Sequence, residues 1–261
     1  MRFQMTFPTA IHEAATQTIV GFWREHPQTA AVLLTNSCAR GVAIAESDLD
    51  MNVLIAPAVA PAEIAGLEAQ WRRFLATQPI FAQLKQNGPF AGVHLDCFKD
   101  DWRPEIWDDG GGPDDFELNI GNAVAYSALL WQRDAAFKQM QARWLPYYAE
   151  PLRRERLAMV RSACAYDLDY VAFFVRRGLY FQAFDRLYKA FREFLQALFI
   201  AQRTYPIAYN KWIHQQIVDI LGLPELYPQL APILQIKRLE SAEISKNAAG
   251  LRRLLDTWVR D

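Results

Sequence analysis

The chain has 261 residues, a net charge of −1, and a composition that is 52% hydrophobic and 13% aromatic. That length allows one large or two modest domains with an ample core. The near-neutral charge argues against a dedicated nucleic-acid binder, and no apolar run reaches the roughly 18 residues of a membrane span. Three distant cysteines, Cys38, Cys97 and Cys164, form no Cys-x-x-Cys pair, which argues against a thiolate zinc site and suits reduced cytosolic thiols better than a disulfide framework. The N-terminal stretch contains Glu13 and is interrupted by polar residues, unlike a secretory signal. A cytoplasmic protein is expected.

In chain order, Ile11 to Glu25 predicts an amphipathic helix, with Ile11, Ala15, Ile19 and Phe22 near one face. Ala30 to Thr35 predicts a buried strand, and Leu49 to Ala56 a second, ended by Pro57. Pro61 to Ala76 predicts a helix opened by proline. Gly92 to Lys99 predicts a third strand, in which Val93, Leu95 and Cys97 alternate with His94, Asp96 and Phe98. Asp100 to Glu117 reads as an acidic loop, with six Asp and two Glu against one Arg, and with Trp102 and Trp107 interleaved. It suits either a cationic or sugar-containing ligand or plain solvation. From there the pattern is helical throughout. Helices are predicted near 117–131, 134–144, 151–177, 180–203, 209–222, 224–236 and 240–259. The expected architecture is α+β, a small mixed-sheet domain over 1–115 followed by an all-helical bundle domain over 116–261.

The chemistry concentrates between the first two strands. Asn36-Ser37-Cys38-Ala39-Arg40-Gly41 is a small-residue turn, and Asp48-Leu49-Asp50 opens the second strand. Alternate strand residues share a face, roughly 6.5–7 Å apart along the backbone. Asp48 and Asp50 therefore reach toward the same cations. Asp is depleted from strands, and adjacent like charges cost energy unless a cation neutralises them. A third carboxylate, Asp96, sits mid-strand in the same half. A divalent metal site explains the three together, and Mg²⁺ prefers such hard oxygen donors with substrate phosphates completing the shell. Ser37, Arg40 and Gly41 read as a phosphate cradle, with an ordinary capped loop as the alternative.

These residues resemble the nucleotidyltransferase superfamily that includes DNA polymerase beta and the antibiotic nucleotidyltransferases. Its signature is Gly-Ser after the first strand, Asp-x-Asp on the second and a third carboxylate on a later strand. Asn36-Ser37, Asp48-Leu49-Asp50 and Asp96 match those places, with Asn36 where the family usually has Gly. Phe116 to Leu157, with Tyr126 and Tyr147, is similar to the region that joins the two domains in aminoglycoside-type enzymes, and Tyr180 to Ile217, with Phe191-Arg192-Glu193-Phe194 and Tyr209-Asn210-Lys211-Trp212, looks like their helical C-terminal domain. The resemblance implies a Mg²⁺-dependent transfer of a nucleoside monophosphate, AMP from ATP foremost. The acceptor would be a hydroxyl of a small molecule such as an aminoglycoside or lincosamide. Asp48, Asp50 and Asp96 would be the catalytic and metal residues. Ser37, Arg40, Gly41 and Lys211 would bind the nucleotide.

Asp167, Asp169 and Glu193 read either as ligands for a cationic acceptor or as ion-pair partners. The arginines from Arg153 to Arg177 read as phosphate ligands or as a solvated face, and Leu251 to Val259 as a homodimer face or a cap on the helical domain. Two other readings stay open. One is a regulatory nucleotidyltransferase of antitoxin type acting on a protein partner; the other is an inactive NTP-binding protein. The Arg-x4–6-His motif of the partner toxins has no counterpart here.

Overall fold

The computed structural model describes residues 3–107 and 112–260, so part of the acidic loop lies outside the described residues. The architecture is α+β, a four-stranded mixed sheet with many helices. The chain forms two compact units, one built on residues up to 103 together with 119–146, the other on 104–118 together with 147 onward.

The first unit carries the sheet. Helix α1 (Ala10–Arg24) is capped by Thr9, whose side chain accepts from the His12 amide. Strand β1 (Thr29–Leu34) follows, then the single-turn α2 (Asn36–Ala39) and β2 (Leu49–Ile55). Helices α3 (Pro61–Thr77) and α4 (Pro79–Lys85) connect β2 to β3 (Val93–Phe98). A helical crossover of this kind is what joins parallel neighbours, and β2 and β3 are parallel. Leu49, Met51 and Val53 of β2 pack with Ile19 and Trp23 of α1, Leu67 and Trp71 of α3, and Phe81 and Leu84 of α4. The period of two therefore commits the odd residues of β2 to the helices and leaves Asp48, Asp50 and Asn52 on the opposite face.

The sequence misses the fourth strand. Residues 117–131 divide into α5 (Phe116–Ile120), a π-helical turn (Gly121–Ala125) and β4 (Ala128–Gln132). The sheet order is β3-β2-β1-β4, with β1 antiparallel to both neighbours. A short apolar run such as Ala128-Leu129-Leu130-Trp131 fits a strand or a helix equally well. The tertiary structure decides, because every residue of β1 is buried and its second edge needs a partner for its amides and carbonyls. Helix α6 (Ala136–Trp144) follows β4.

The second unit is helical. Helix α7 (Glu150–Arg176) and α8 (Tyr180–Ala201) are joined by a turn in which Gly178 takes a φ of 71°. Helix α10 (Glu243–Trp258) packs on both. The helix expected over 209–222 shrinks to a short stretch around a π-helical turn at Gln215–Ile220. The buried Gln216 side chain accepts from the Ile207 amide at 2.7 Å and donates to the Ala208 carbonyl at 2.7 Å and the Lys211 carbonyl at 3.0 Å. Those bonds hold the preceding segment in an irregular path. In place of a helix over 224–236 there are α9 (Tyr227–Leu230) and a 3₁₀ turn (Ala231–Leu234), since Pro228 and Pro232 withhold amides from a longer helix. Among the described residues no helix is long and apolar enough to cross a membrane.

Candidate active site

The turn between β1 and α2 is built around Asn36, which has a φ of 53°. Asn is among the few non-glycine residues that adopt this region readily, so the turn takes a left-handed backbone without glycine. Helix α2 ends one turn later. Gly41 has a φ of +71°, and a Cβ there would lie 2.4 Å from the Gln4 carbonyl oxygen. Only glycine permits that close approach, and it anchors the N-terminal segment, where the Thr6 amide also bonds the Cys38 carbonyl at 3.2 Å. Gly41 thus has a structural use in this turn.

Ser37 is half-buried at the turn, while Cys38 behind it is buried. Burial, aided by the charges of Asp50 and Asp48, pushes the Cys38 thiol up to about 11, with a hydrogen bond from Ser37 opposing the rise. Cys38 stays a thiol at neutral pH and senses both carboxylates. Arg40 is also buried, 3% exposed. Burial lowers its guanidinium to about 10, and the neighbouring Asp50 and Tyr126 oppose the drop. Arg40 remains charged and offsets part of the Asp50 charge. Tyr126, on the turn before β4, is a member of this cluster that the sequence reading assigned no role beside Asp50. Its phenol is raised by burial. Nothing local marks it, because it reaches the site only through the unrecognised strand.

Asp48 and Asp50 stand on the face of β2 opposite its helices. Parallel pairing puts His94 beside Asp50 and Asp96 beside Asn52, and residues in register point to the same side of a sheet. His94 Nε2 lies 3.6 Å from Asp48 Oδ2. The structure therefore assembles Asp48, Asp50 and His94, with Asp96 one ladder step further along the same face and exposed. Among the described residues no three His, Cys, Asp or Glu side chains converge as a preformed metal cage. The donor chemistry of Asp48 and Asp50 fits a divalent cation held by two carboxylates and completed by substrate phosphates, the arrangement Mg²⁺ commonly takes.

The other sequence-predicted residues lie in the helical unit. Lys211 is exposed, ahead of the Gln215–Ile220 turn. Asp167 is fully buried, with Arg186 as its hydrogen-bonded ion-pair partner and Lys189 Nζ at 3.4 Å. Asp169 pairs with Arg252 at 2.5 Å. Both take the ion-pair role. Glu193 is fully buried, and neither carboxyl oxygen has a hydrogen-bond partner among the described residues. Burial, then the Asp167 charge, raises it to about 8.

Arg153 and Arg156 of the basic helix are buried rather than solvated. Arg156 Nε and Nη2 bond Glu117 at 2.7 and 2.8 Å, while Nη1 and Nη2 bond Asp114 at 3.0 and 2.7 Å. Gln196 Nε2 donates to both carboxylates, and the Tyr148 hydroxyl donates to Glu117 at 2.8 Å. Two members of the acidic stretch thus form the polar centre of the helical unit.

No protein-family model matches the chain, and no curated protein matches it. Among solved structures it is similar to a nucleotidyltransferase-like protein from Exiguobacterium sibiricum 255-15, at 13% identity and a TM-score of 0.46, over 94% of this chain and 74% of that one.

Proposed function

We propose that this protein is a Mg²⁺-dependent nucleotidyltransferase that moves AMP from ATP to a hydroxyl of a small-molecule acceptor and releases pyrophosphate. The observation that carries this reading is that Asp48 and Asp50 share the face of β2 opposite its helices, after a turn in which Asn36 is left-handed and Ser37 follows it. A polar site of this kind has little covalent chemistry to do. Positioning and charge neutralisation supply most of the rate in phosphoryl and nucleotidyl transfer.

Asp48 and Asp50 would hold the metal, which when bound would neutralise charge on the α-phosphate and the departing pyrophosphate. Ser37 would donate to the triphosphate. Arg40, buried beside Asp50, would offset part of its charge. Asp96 would accept the acceptor's hydroxyl proton. The acceptor oxygen forms a bond to the α-phosphorus as the bond from that phosphorus to the bridging oxygen breaks, and pyrophosphate carries the electron pair away.

One observation favours a second reading, nucleotide binding without transfer. His94, not Asp96, faces Asp50. Calorimetric titration with ATP, with and without Mg²⁺, on wild type and Asp50→Ala tests the binding shared by both readings. Pyrophosphate release with hydroxyl acceptors separates them. Mg²⁺-dependent binding lost in the variant, together with acceptor-dependent release, is the expected result. Absence of Mg²⁺-dependent ATP binding overturns both.

A further inference from the structure

We infer that the groove between α7 and α10 binds a phosphate-bearing organic anion. A cavity of about 400 Å³ lies there, entirely within the helical unit. Helix α7 contributes Arg154, Leu157 and Arg161, and α10 contributes Arg252, Leu255 and Asp256. On each helix the spacing of three and four residues places these side chains on one face.

The charges around the cavity do not cancel. Three guanidiniums line it against one carboxylate. Arg154 meets Glu150 at 3.4 Å, but Glu150 also holds Arg153 at 2.6 Å and Arg203 at 3.1 Å. One carboxylate therefore serves three guanidiniums, and Arg153 beside it holds the Glu150 carboxyl down to about 2. Arg252 is fixed at the rim by the Ala165 carbonyl at 2.8 Å and by Asp169. Asp169 is 75% exposed, so water screens much of its charge. Arg161 is half-buried and has neither an ion pair nor a hydrogen bond among the described residues.

A partly desolvated guanidinium without a counter-charge is costly, and an anion in the cavity relieves it. The planar fork of arginine matches a phosphate bidentately, and charge-assisted bonds of this kind are the strong ones. Leu157 and Leu255, each 2% exposed, form an apolar floor. That floor suits the carbon body of an organic phosphate, and the volume falls in the range of about 300–1,000 Å³ usual for small-molecule sites. A mixed lining, cationic walls over an apolar floor, distinguishes this groove from a solvated basic helix face.

The test uses the full chain carrying Asp50→Asn, without divalent cations, so that the β2 carboxylates make no metal-dependent contribution. Inorganic pyrophosphate and ADP are titrated by calorimetry at about 0.15 M salt, where diffuse attraction is screened beyond about 8 Å. One saturable site is expected, with ADP bound more tightly than pyrophosphate. Arg161→Glu weakens it at least tenfold, Arg161→Lys by less, and Arg176→Glu, at the exposed far end of α7, leaves it unchanged. Unfolding midpoints establish that the variants fold, and Arg161→Gln serves if the charge reversal does not. Absence of saturable binding, equal binding by folded Arg161 variants, or an equal loss in Arg176→Glu each overturns the assignment.

Discussion

His94 Nε2 lies 3.6 Å from Asp48 Oδ2, and the same pairing sets His94 directly beside Asp50. The register of one strand pair thus determines which third side chain joins the two carboxylates. A slip of two residues would keep every side chain on its face and exchange His94 for Asp96. The connection through α3 and α4 fixes that register, and the composition of β3 alone does not.

Asp50→Asn is expected to weaken Mg²⁺-dependent ATP binding at least tenfold, since it removes one of two hard donors. His94→Gln is expected to change it by threefold or less, because its imidazole is largely exposed and its pairing with Asp48 is long. Calorimetry on both variants checks this. A larger loss in His94→Gln than in Asp50→Asn would make the imidazole the principal ligand.

Asn36 bears a left-handed backbone that costs an ordinary L-residue about 1–2 kcal/mol. Asn36→Ala is expected to destabilise the protein by about 1 kcal/mol, and Asn36→Gly to be neutral or slightly stabilising. Urea unfolding of the two variants reads the difference. Destabilisation by glycine exceeding that by alanine would show that the Asn side chain, not the backbone angle, matters.

Arg156 is the cation of a fully buried network with Asp114 and Glu117. Removing it strands two carboxylates in the core of the helical unit. Arg156→Met is expected to cost about 3–5 kcal/mol, measured as a lower urea midpoint. A triple replacement of Arg156, Asp114 and Glu117 by apolar residues is expected to cost much less than the single change, because no charge is left unpaired.

Glu193 supplies a pH dependence whose sign follows from its environment. Its carboxyl is raised to about 8 in the folded protein, from 4.5. The folded state therefore binds more protons than the unfolded state between those values. Its contribution to stability is fully present below pH 4.5 and is lost as pH rises through about 8. Glu193→Gln is expected to flatten stability against pH in that window and to stabilise the protein at pH 8 by about 1–3 kcal/mol. Unfolding midpoints at pH 5, 6.5 and 8 measure it, and parallel curves for variant and wild type would refute it.

Much of the sheet was legible because its signals are local. Alternation marks β2 and β3, prolines bound α3, and two aspartates against the grain of a buried strand mark the site. The left-handed angle at Asn36 follows from residue chemistry as well. What was not legible depends on distant partners. Strand β4 is decided by the open edge of β1, nearly a hundred residues earlier. The Tyr126 that neighbours buried Arg40 comes from the turn just before that strand. The acidic stretch reads as a ligand-binding or solvated loop until Arg156 and Gln196, 42 and 82 residues after Asp114, close on it.

The late arrival of β4 also bears on how the chain is made. Strand β1 leaves the ribosome long before Ala128–Gln132, and the intervening 104–118 segment belongs to the other unit. Until β4 emerges, the nascent sheet presents a largely apolar strand with one unpaired edge, the kind of surface that recruits other chains. A fragment ending near residue 115 would keep that edge permanently. The polypeptide also passes between the units three times, so one protease cut or one cloning boundary cannot separate them. Synthesis, truncation and domain transplantation are therefore constrained by the same return of the chain that completes the sheet.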